Sequence, residues 1–247
     1  MKRFFDPSRA ILEPRSLVRA FTRNEEHELA LPERAIITFS NGDLKRLTEK
    51  AQASAIAAWQ PFRTIYLLAP STVAVNSFFG GPNVAALVEE MSSFGVREFI
   101  LWGYCGGISG SSGIGSLYIA GRALREDGIS YHYLEDDHEF VSSEWAKEWS
   151  AGAGHEDFQC VDVWSTDAIY RETHRKIIEY AKRGIAAVEM ETASLYAVCQ
   201  AKGLKAAAFL VVSDLINTGT WQPGFHTRPF KEAVKTMARF LTENTVR

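Results

Sequence analysis

The sequence predicts an α/β protein, a single-domain three-layer αβα sandwich whose central sheet is mixed and largely parallel. One observation is that short apolar runs rich in branched residues alternate with segments of helical periodicity along most of the chain. The other is that 247 residues, of which 46% are hydrophobic and 23% charged, are enough to bury one large core.

The strands are predicted from short apolar runs rich in branched residues. Such runs are typical of strands that are buried on both faces of a sheet. In chain order they are Ala35–Phe39, Thr64–Ala69, Glu98–Trp102, Leu117–Ala123, Gln159–Val163 and Ala206–Val212.

The helices are predicted from apolar residues that recur with the helical period. The clearest covers residues 84–94, with Asn83 as its expected N-cap and Gly95 as its stop. Residues 1–33 are expected to form an added arm with one short helix, and residues 34–247 the domain itself. The other helices are expected from about Asp43 to Ala58, from near Glu191 to Gly203, and from Phe230 to Leu241.

The charge and cysteine content exclude several classes of protein. The 27 Lys and Arg against 30 Asp and Glu leave a net charge of −3, so we expect neither a nucleic-acid nor a membrane partner. The three cysteines are far apart and form no C-x-x-C pair, so we expect no metal site. The first residues lack the apolar run of a signal peptide, and we expect a soluble cytoplasmic enzyme.

The segment Gly103–Gly107 follows the predicted strand Glu98–Trp102. A glycine turn at this place presents backbone N–H groups at the carboxyl edge of the sheet, where ligands of α/β proteins bind. Three interpretations stay open: a substrate-cradling loop, a nucleophile elbow that carries Cys105, and a plain structural turn. The Ser- and Gly-rich residues 108–115 form a poor first helical turn, which counts against the elbow.

Two carboxylates, Glu189 and Glu191, flank Met190 at the expected start of a helix. Capping is the structural interpretation, because acidic groups near a helix N-terminus are favourable. The apolar neighbours indicate burial, where a carboxylate needs hydrogen bonds. The functional interpretation is therefore a carboxylate that accepts bonds from vicinal ribose hydroxyls, with a methionine against the sugar.

Two further segments lie at predicted strand ends. Ser213 and Asp214 follow the buried strand Ala206–Val212, a position where catalytic residues are commonly built, and an Asp N-cap is the structural alternative. Gly42 and Arg46 follow the first strand. A glycine turn, a helix N-terminus and a guanidinium together suit an anion.

Together these segments resemble the nucleoside phosphorylase family, which includes purine nucleoside and uridine phosphorylases and the related nucleosidases. The most specific match is Val188–Ala193 followed some twenty residues later by Val212–Asp214. The resemblance spans about residues 34–242 and implies the phosphorylase/hydrolase-like form of the αβα sandwich. The other matching segments, in order, are Gly42–Arg46, Gly80–Pro82, Gly103–Ile108 and Ser165–Tyr170.

The resemblance implies cleavage of the N-glycosidic bond of a purine nucleoside by phosphate, as in nucleotide salvage, with inorganic phosphate as co-substrate and no cofactor. It implies that Asp214 is catalytic and protonates or hydrogen-bonds N7 of the leaving purine. It also implies a homo-oligomer, a dimer or a hexamer. The implied ribose site is Glu191, Met190 and Glu189, the phosphate site is Gly42, Arg46 and Tyr104, and the base site is Cys105, Gly106, Ile169, Tyr170 and Ser213.

Two positions depart from the family pattern. Leu101 stands where the family usually has a phosphate-binding arginine, and Tyr104 stands where it has serine or threonine. The loss of a guanidinium weakens a dianion site, because charged hydrogen bonds are the strong ones. The segment around Tyr104 is closer to the AMP nucleosidase branch, which uses water. A hydrolytic nucleosidase, a thiol hydrolase using Cys105 and a non-catalytic nucleoside-binding protein therefore stay open as alternatives.

Overall fold

A computed structural model describes residues 4–152, 157–217 and 219–245, so residues 1–3 of the predicted arm lie outside the described ranges. The strands are β1 (Arg34–Thr38), β2 (Ser54–Ala55), β3 (Ile65–Ala69), β4 (Thr72–Asn76), β5 (Glu98–Gly107), β6 (Leu117–Glu126), β7 (Phe140–Ser142), β8 (Phe158–Thr166), β9 (Ile185–Glu189), β10 (Lys205–Leu215) and β11 (Gln222–Pro223). The helices are α1 (Pro14–Thr22), α2 (Asn41–Ala51), α3 (Gly81–Ser93), α4 (Ser130–Tyr133), α5 (Glu144–Ala151), α6 (His174–Lys182), α7 (Thr192–Lys202) and α8 (Arg228–Thr245), with 3₁₀ turns at Ala57–Trp59 and Ile169–Arg171.

The strands form one mixed sheet in the order β11-β10-β6-β8-β9-β5-β1-β4-β3-β2, with β7 on β6. Pairing is parallel among β4, β1, β5 and β10 and among β6, β8 and β9, and it is antiparallel elsewhere. Because β5 also pairs with β10, the strands β5, β10, β6, β8 and β9 close into a ring. The predicted α/β fold with a mixed central sheet is confirmed.

Helices pack against this sheet in two groups. In the first group α2 packs against α8. In the second group α3 packs against α7, while α1 packs on α3 and α4 packs on α7. The amphipathic helix predicted over residues 84–94 is confirmed as α3, whose inner face is Val84, Leu87, Val88 and Met91. No helix in the described ranges is both long enough and apolar enough to cross a membrane.

Two predicted helix starts were wrong. The N-cap of α3 is Gly80 and not Asn83, whose side chain instead donates to the carbonyl of Phe79 at 2.7 Å. Pro82 lies in the first turn, where its missing N–H costs no helical hydrogen bond. For the same reason α8 begins at Arg228, with Pro229 in its first turn, and not at Phe230.

The helix predicted from Asp43 to Ala58 ends earlier, at Ala51. Gln52 takes a left-handed conformation, φ 50°, and ends α2. The residues that follow form β2 and a 3₁₀ turn that buries Trp59, whose indole N–H donates to the carbonyl of Leu29 at 3.0 Å. The alanine and isoleucine residues at 53–58 are compatible with both helix and strand, so their spacing did not show that the helix ends at Ala51.

The predicted glycine turn at 103–107 was also wrong, because β5 continues as a strand to Gly107. A Cβ at Gly107 would lie 2.7 Å from both Leu215 Cδ2 and Ser112 Cβ, so this glycine makes room for neighbouring side chains. The strand β10 is longer too, and Ser213 and Asp214 lie inside it and not after its end.

The N-terminal arm carries the predicted short helix, α1, and packs on the rest of the chain. Val18 on α1 is fully buried. The N–H of Leu31 donates to the carbonyl of Phe94, just after α3, at 2.8 Å. The arm is therefore held by buried contacts and by backbone hydrogen bonds.

Candidate functional site

The candidate site lies at the carboxyl ends of the parallel strands β1, β5 and β10, the edge where α/β sheets bind ligands. On β5, Gly106 pairs with Asp214 of β10 on one side and with Val188 of β9 on the other. A Cβ at Gly106 would lie 3.3 Å from Val188 Cγ1 and 3.4 Å from Asp214 Oδ2. Gly106 thus leaves space between the two segments that carry the predicted carboxylates.

Glu191 is the N-cap residue of α7, and its side chain is buried. Its Oε1 accepts a hydrogen bond from the N–H of Gly80 at 2.6 Å, and its Oε2 accepts one from the N–H of Met190 at 3.3 Å. Burial, followed by the charge of Glu189, raises the pKa of Glu191 to about 8. Each oxygen keeps a further lone pair, which suits the hydroxyls of a sugar.

Glu189, at the end of β9, has a different environment. Its Oε2 accepts hydrogen bonds from the N–H groups of Glu191 and Thr192, each at 2.8 Å, and its Oε1 accepts one from the Ser165 hydroxyl. Burial raises the pKa of Glu189, and these hydrogen bonds work in the opposite direction. The carboxylate of Glu189 therefore holds the start of α7 in place, which leaves Glu191 as the carboxylate with capacity for a ligand.

Asp214 is half-buried and follows an irregularity in β10, where the register with β5 shifts after Val212. Irregularities of this kind change the direction of a side chain and are common next to active sites. Asp214 Oδ1 accepts a hydrogen bond from the Ser213 hydroxyl at 2.7 Å, and Oδ2 accepts one from the Trp221 indole N–H at 2.9 Å. Both oxygens of this carboxylate therefore have donors.

Cys105 is buried beside this carboxylate, with 3% of its surface exposed. Burial, followed by the charges of Glu189 and Asp214, raises the pKa of the Cys105 thiol well above its ordinary value. A nucleophilic cysteine must be a thiolate, and an elbow must turn from a strand into a helix. Here β5 continues as a strand past Cys105, so the elbow interpretation does not fit the geometry.

The predicted anion site lies at the N-terminus of α2. The Ser40 hydroxyl caps this helix and accepts from the N–H groups of Gly42 at 3.2 Å and Asp43 at 3.4 Å. Arg46 is half-exposed on the second turn, with its Nε 3.9 Å from Asp43 Oδ1. Leu101 is fully buried within β5. Arg46 is thus the cation of this loop, and it already lies near a carboxylate.

Tyr104, the third predicted phosphate residue, donates a hydrogen bond from its hydroxyl to Asp43 Oδ2. Its ring stands edge-on to Phe230, with 5.0 Å between the ring centroids. Burial raises the pKa of Asp43, and burial and then the charge of Asp43 raise the pKa of Tyr104. The Tyr104 hydroxyl and the Asp43 carboxylate therefore satisfy each other's hydrogen bonding at the place where the sequence predicted an anion-binding site.

The loop between β8 and α6 completes the site. Ile169 and Tyr170 form its 3₁₀ turn, where Tyr170 is 96% exposed. Glu172 follows and is half-buried, and the charge of Asp214 acts on it. Sequence reasoning missed Glu172 and Trp221, although each stands a few residues after a motif that it had found. Within the described ranges, no group of three His, Cys, Asp or Glu side chains is placed to hold a metal ion.

Comparison with known families gives one match over most of the chain. The profile described as the phosphorylase superfamily matches residues 33–244. This range includes the segments that contain Gly42, Tyr104, Glu191 and Asp214.

Curated relatives match over shorter segments. A guanosine phosphorylase of Halorubrum lacusprofundi is 30% identical over 143 residues, which cover 57% of this chain and 59% of the relative. A DeoD-type purine nucleoside phosphorylase of Caldanaerobacter subterraneus subsp. tengcongensis is 30% identical over 149 residues, 57% of this chain and 62% of the relative. A uridine phosphorylase of Haemophilus influenzae is 25% identical over 169 residues, 62% of this chain and 66% of the relative. The chain thus matches less than two thirds of each relative's length.

Proposed function

The chain belongs to the phosphorylase superfamily, and we propose that it cleaves the N-glycosidic bond of a purine nucleoside by transferring the ribosyl group to phosphate. It is then a pentosyltransferase with inorganic phosphate as co-substrate and no cofactor. The relatives named as guanosine, purine nucleoside and uridine phosphorylases support the reaction class. The choice of a purine rests on Asp214.

One observation carries the proposal: Gly106 of β5 pairs on one side with Asp214, near the end of β10, and on the other with Val188 of β9, the strand that Glu191 follows. The buried Glu191 carboxyl takes the 2′- and 3′-hydroxyls, with Met190 against the sugar. Asp214 and its neighbours supply the hydrogen bond or proton that a departing purine needs at N7. The base then lies over Gly106, bordered by Cys105, Ser213 and the turn of Ile169 and Tyr170.

The charges of the site suit this reaction. As the glycosidic bond breaks, positive charge develops on the sugar and negative charge on the base. The carboxyl oxygens of Glu189 and Glu191 lie on the sugar side, where their partial negative charge stabilises the developing positive charge. Gly42, Arg46 and Tyr104 are the proposed phosphate site, from which the nucleophile reaches C1′.

A hydrolytic nucleosidase is the second candidate, and the hydrogen bond from Tyr104 to Asp43 favours it. This pair brings a carboxylate to the proposed phosphate site, and Arg46 is the guanidinium next to it. A dianion is held less strongly by one half-exposed guanidinium beside a carboxylate than by a guanidinium alone. Water as nucleophile avoids that cost.

Product analysis distinguishes the two candidates. The protein is incubated with inosine, guanosine, adenosine or uridine, each with and without phosphate. We expect release of a purine base that requires phosphate and yields ribose 1-phosphate. Free ribose at an equal rate without phosphate would establish the nucleosidase instead. Saturable binding without release of base would leave the nucleoside-binding protein.

The proposal extends to a cytoplasmic homo-oligomer, a dimer or a hexamer. Phe78 is 80% exposed, Phe79 68% and Tyr170 96%, in the β4–α3 and β8–α6 loops. Large exposed aromatic side chains of this kind are common in protein interfaces. Light scattering after gel filtration measures the mass directly, and a single species of monomer mass would contradict the proposal.

A further inference from the structure

The indole of Trp221 holds the oxygen of Asp214 that faces the proposed base site. Its Nε1 donates a hydrogen bond to Asp214 Oδ2, with 2.9 Å between the two atoms. Oδ2 is also the Asp214 oxygen nearest to Gly106, since a Cβ at Gly106 would lie 3.4 Å from it. The proposed function places the base over Gly106. The indole therefore acts on the oxygen that meets a purine at this place.

The other oxygen of Asp214 has a donor of a different kind. The Ser213 hydroxyl lies 2.7 Å from Asp214 Oδ1 and 3.2 Å from the Cys105 carbonyl oxygen, so its single proton has two acceptors within reach. An indole N–H can only donate, so the hydrogen bond from Trp221 keeps its direction whether Asp214 is neutral or charged. Trp221 is thus the fixed donor of this carboxyl, and Ser213 is the adjustable one.

Backbone pairing keeps Trp221 in this position. Trp221 directly precedes β11, which pairs antiparallel with β10 at Asp214. After β11, the N–H of Gly224 donates to the Ser213 carbonyl at 2.8 Å. A Cβ at Gly224 would lie 2.5 Å from Ile114 Cδ1, so this turn is closely packed. The indole N–H is therefore held beside Asp214 by the sheet, although 63% of the Trp221 surface is exposed.

We propose that Trp221 is a positioning residue for Asp214 in the cleavage reaction; this rests on the proposed function. The C1′–N9 bond breaks, its electron pair passes to the purine, and the proton of the Asp214 carboxyl moves to N7. A phosphate oxygen bonds to C1′, and the proton that phosphate loses restores the carboxyl. Because the indole N–H of Trp221 occupies one side of Oδ2, a proton on this oxygen takes the other side and is directed to the base.

The hydrogen bond from Trp221 becomes stronger during this step. Asp214 acquires a negative charge as its proton leaves, and a hydrogen bond to an ionised acceptor is roughly twice as strong as one to a neutral acceptor. An interaction that is stronger in the transition state than in the bound substrate raises kcat. The indole N–H therefore contributes to the turnover of nucleosides whose base must take up a proton.

The test combines a variant that lacks the N–H with a substrate whose base needs no proton. The base of 7-methylguanosine already carries a positive charge and leaves as a neutral purine, whereas the base of inosine must be protonated. Trp221→Phe keeps an aromatic ring and removes the donor. We expect it to lower kcat for inosine roughly tenfold, the lower end for a charged hydrogen bond, because water reaches this exposed position. On 7-methylguanosine its kcat should stay within about twofold of wild type.

Trp145→Phe is the matched control. Trp145 lies on α5, where the centroid of its ring is 5.9 Å from the Nζ of Lys205 at the start of β10. Asp214 lies near the other end of that strand. The same chemical change at Trp145 should therefore leave the rates on both nucleosides unchanged. Urea midpoints of the two variants show whether either substitution alters folding.

The outcomes separate this inference from the proposed function. Equal loss on both nucleosides in Trp221→Phe would give Trp221 a general structural role and overturn the inference, while the proposed function stands. An unchanged kcat for inosine, or a rise in KM alone, would also overturn it. A wild-type protein that releases base from neither nucleoside overturns the proposed function and this inference with it.

Discussion

The hydroxyl of Tyr104 on β5 donates a hydrogen bond to the carboxylate of Asp43 on α2, and 61 residues separate the two along the chain. The bond joins the first turn of a helix to the strand that lines the site. It also places a buried carboxylate where the sequence predicted an anion. We expect this one contact to affect the stability of the fold and, if the proposed function holds, the choice of nucleophile.

Tyr104→Phe removes this hydroxyl and leaves the buried Asp43 carboxylate with one donor fewer. An unsatisfied buried polar group costs about 1–3 kcal/mol, so the free energy of unfolding should fall by about that amount. Urea unfolding followed by circular dichroism measures it. Tyr170→Phe makes the same change on an exposed ring and should have no effect. Equal stability of Tyr104→Phe and wild type would show that the bond contributes nothing.

Arg46→Ala should weaken phosphate binding and leave nucleoside binding nearly unchanged. Charged hydrogen bonds contribute about 1.5–3 kcal/mol, which corresponds to a rise in the KM for phosphate of roughly ten- to hundredfold. Steady-state rates at varied phosphate and saturating inosine provide the measurement. Lys45→Ala is the control, since this side chain is 71% exposed and pairs with Glu49. A KM for phosphate that does not respond to Arg46→Ala would remove Arg46 from the phosphate site.

Glu191→Gln should reduce the dependence of stability on pH. The folded protein raises the pKa of Glu191 from 4.5 to about 8, so the folded state binds more protons than the unfolded state between these values. Stability therefore falls as the pH rises through this range, and removing the titrating group removes part of that fall. Urea midpoints at a series of pH values test it. Glu232→Gln, a change of an exposed carboxylate, should keep the wild-type slope; the same slope in Glu191→Gln would refute the prediction.

Gly81→Ala should destabilise the protein, because a Cβ at this position would lie 2.1 Å from Ser194 Oγ on α7. Overpacking of this kind costs typically about 1–3 kcal/mol. The displacement of α3 should also disturb the bond from the Gly80 N–H to Glu191 and lower kcat/KM. Thermal unfolding and initial rates measure the two effects. Gly110→Ala is the matched control, since nothing lies within 4 Å of its Cβ. Similar Tm values for both variants would show that the displacement of α3 does not lower the stability of the protein.

The sequence pattern predicts much of the fold, because the long strands and the amphipathic helices have clear periods. The predicted starts of α7 and of β6 and the predicted inner face of α3 match the structure. The strands Thr72–Asn76 and Ile185–Glu189 escaped prediction. Both are only five residues long, and a short apolar run does not distinguish a strand from a helix. Tertiary pairing decides such segments.

The positions of the candidate residues in the fold were predictable, and their contacts were not. Glu191 and Asp214 could be placed because they stand at strand ends on one edge of the sheet. Their partners could not be placed in this way. Gly80 lies 111 residues from Glu191, and no local pattern connects them. The close pairing of Tyr104 with Asp43 likewise depends on how α2 packs beside β5.

The closed ring of β5, β10, β6, β8 and β9 determines which parts of the candidate site can change in sequence. Each strand of the ring is paired on both sides, so the register of Asp214 with Gly106 is set by backbone hydrogen bonds and not by the surrounding loops. Residues 167–173 can therefore be exchanged or lengthened without moving the two strands that carry Gly106 and Asp214. The ring thus keeps the candidate site in place while the sequence and length of this loop vary.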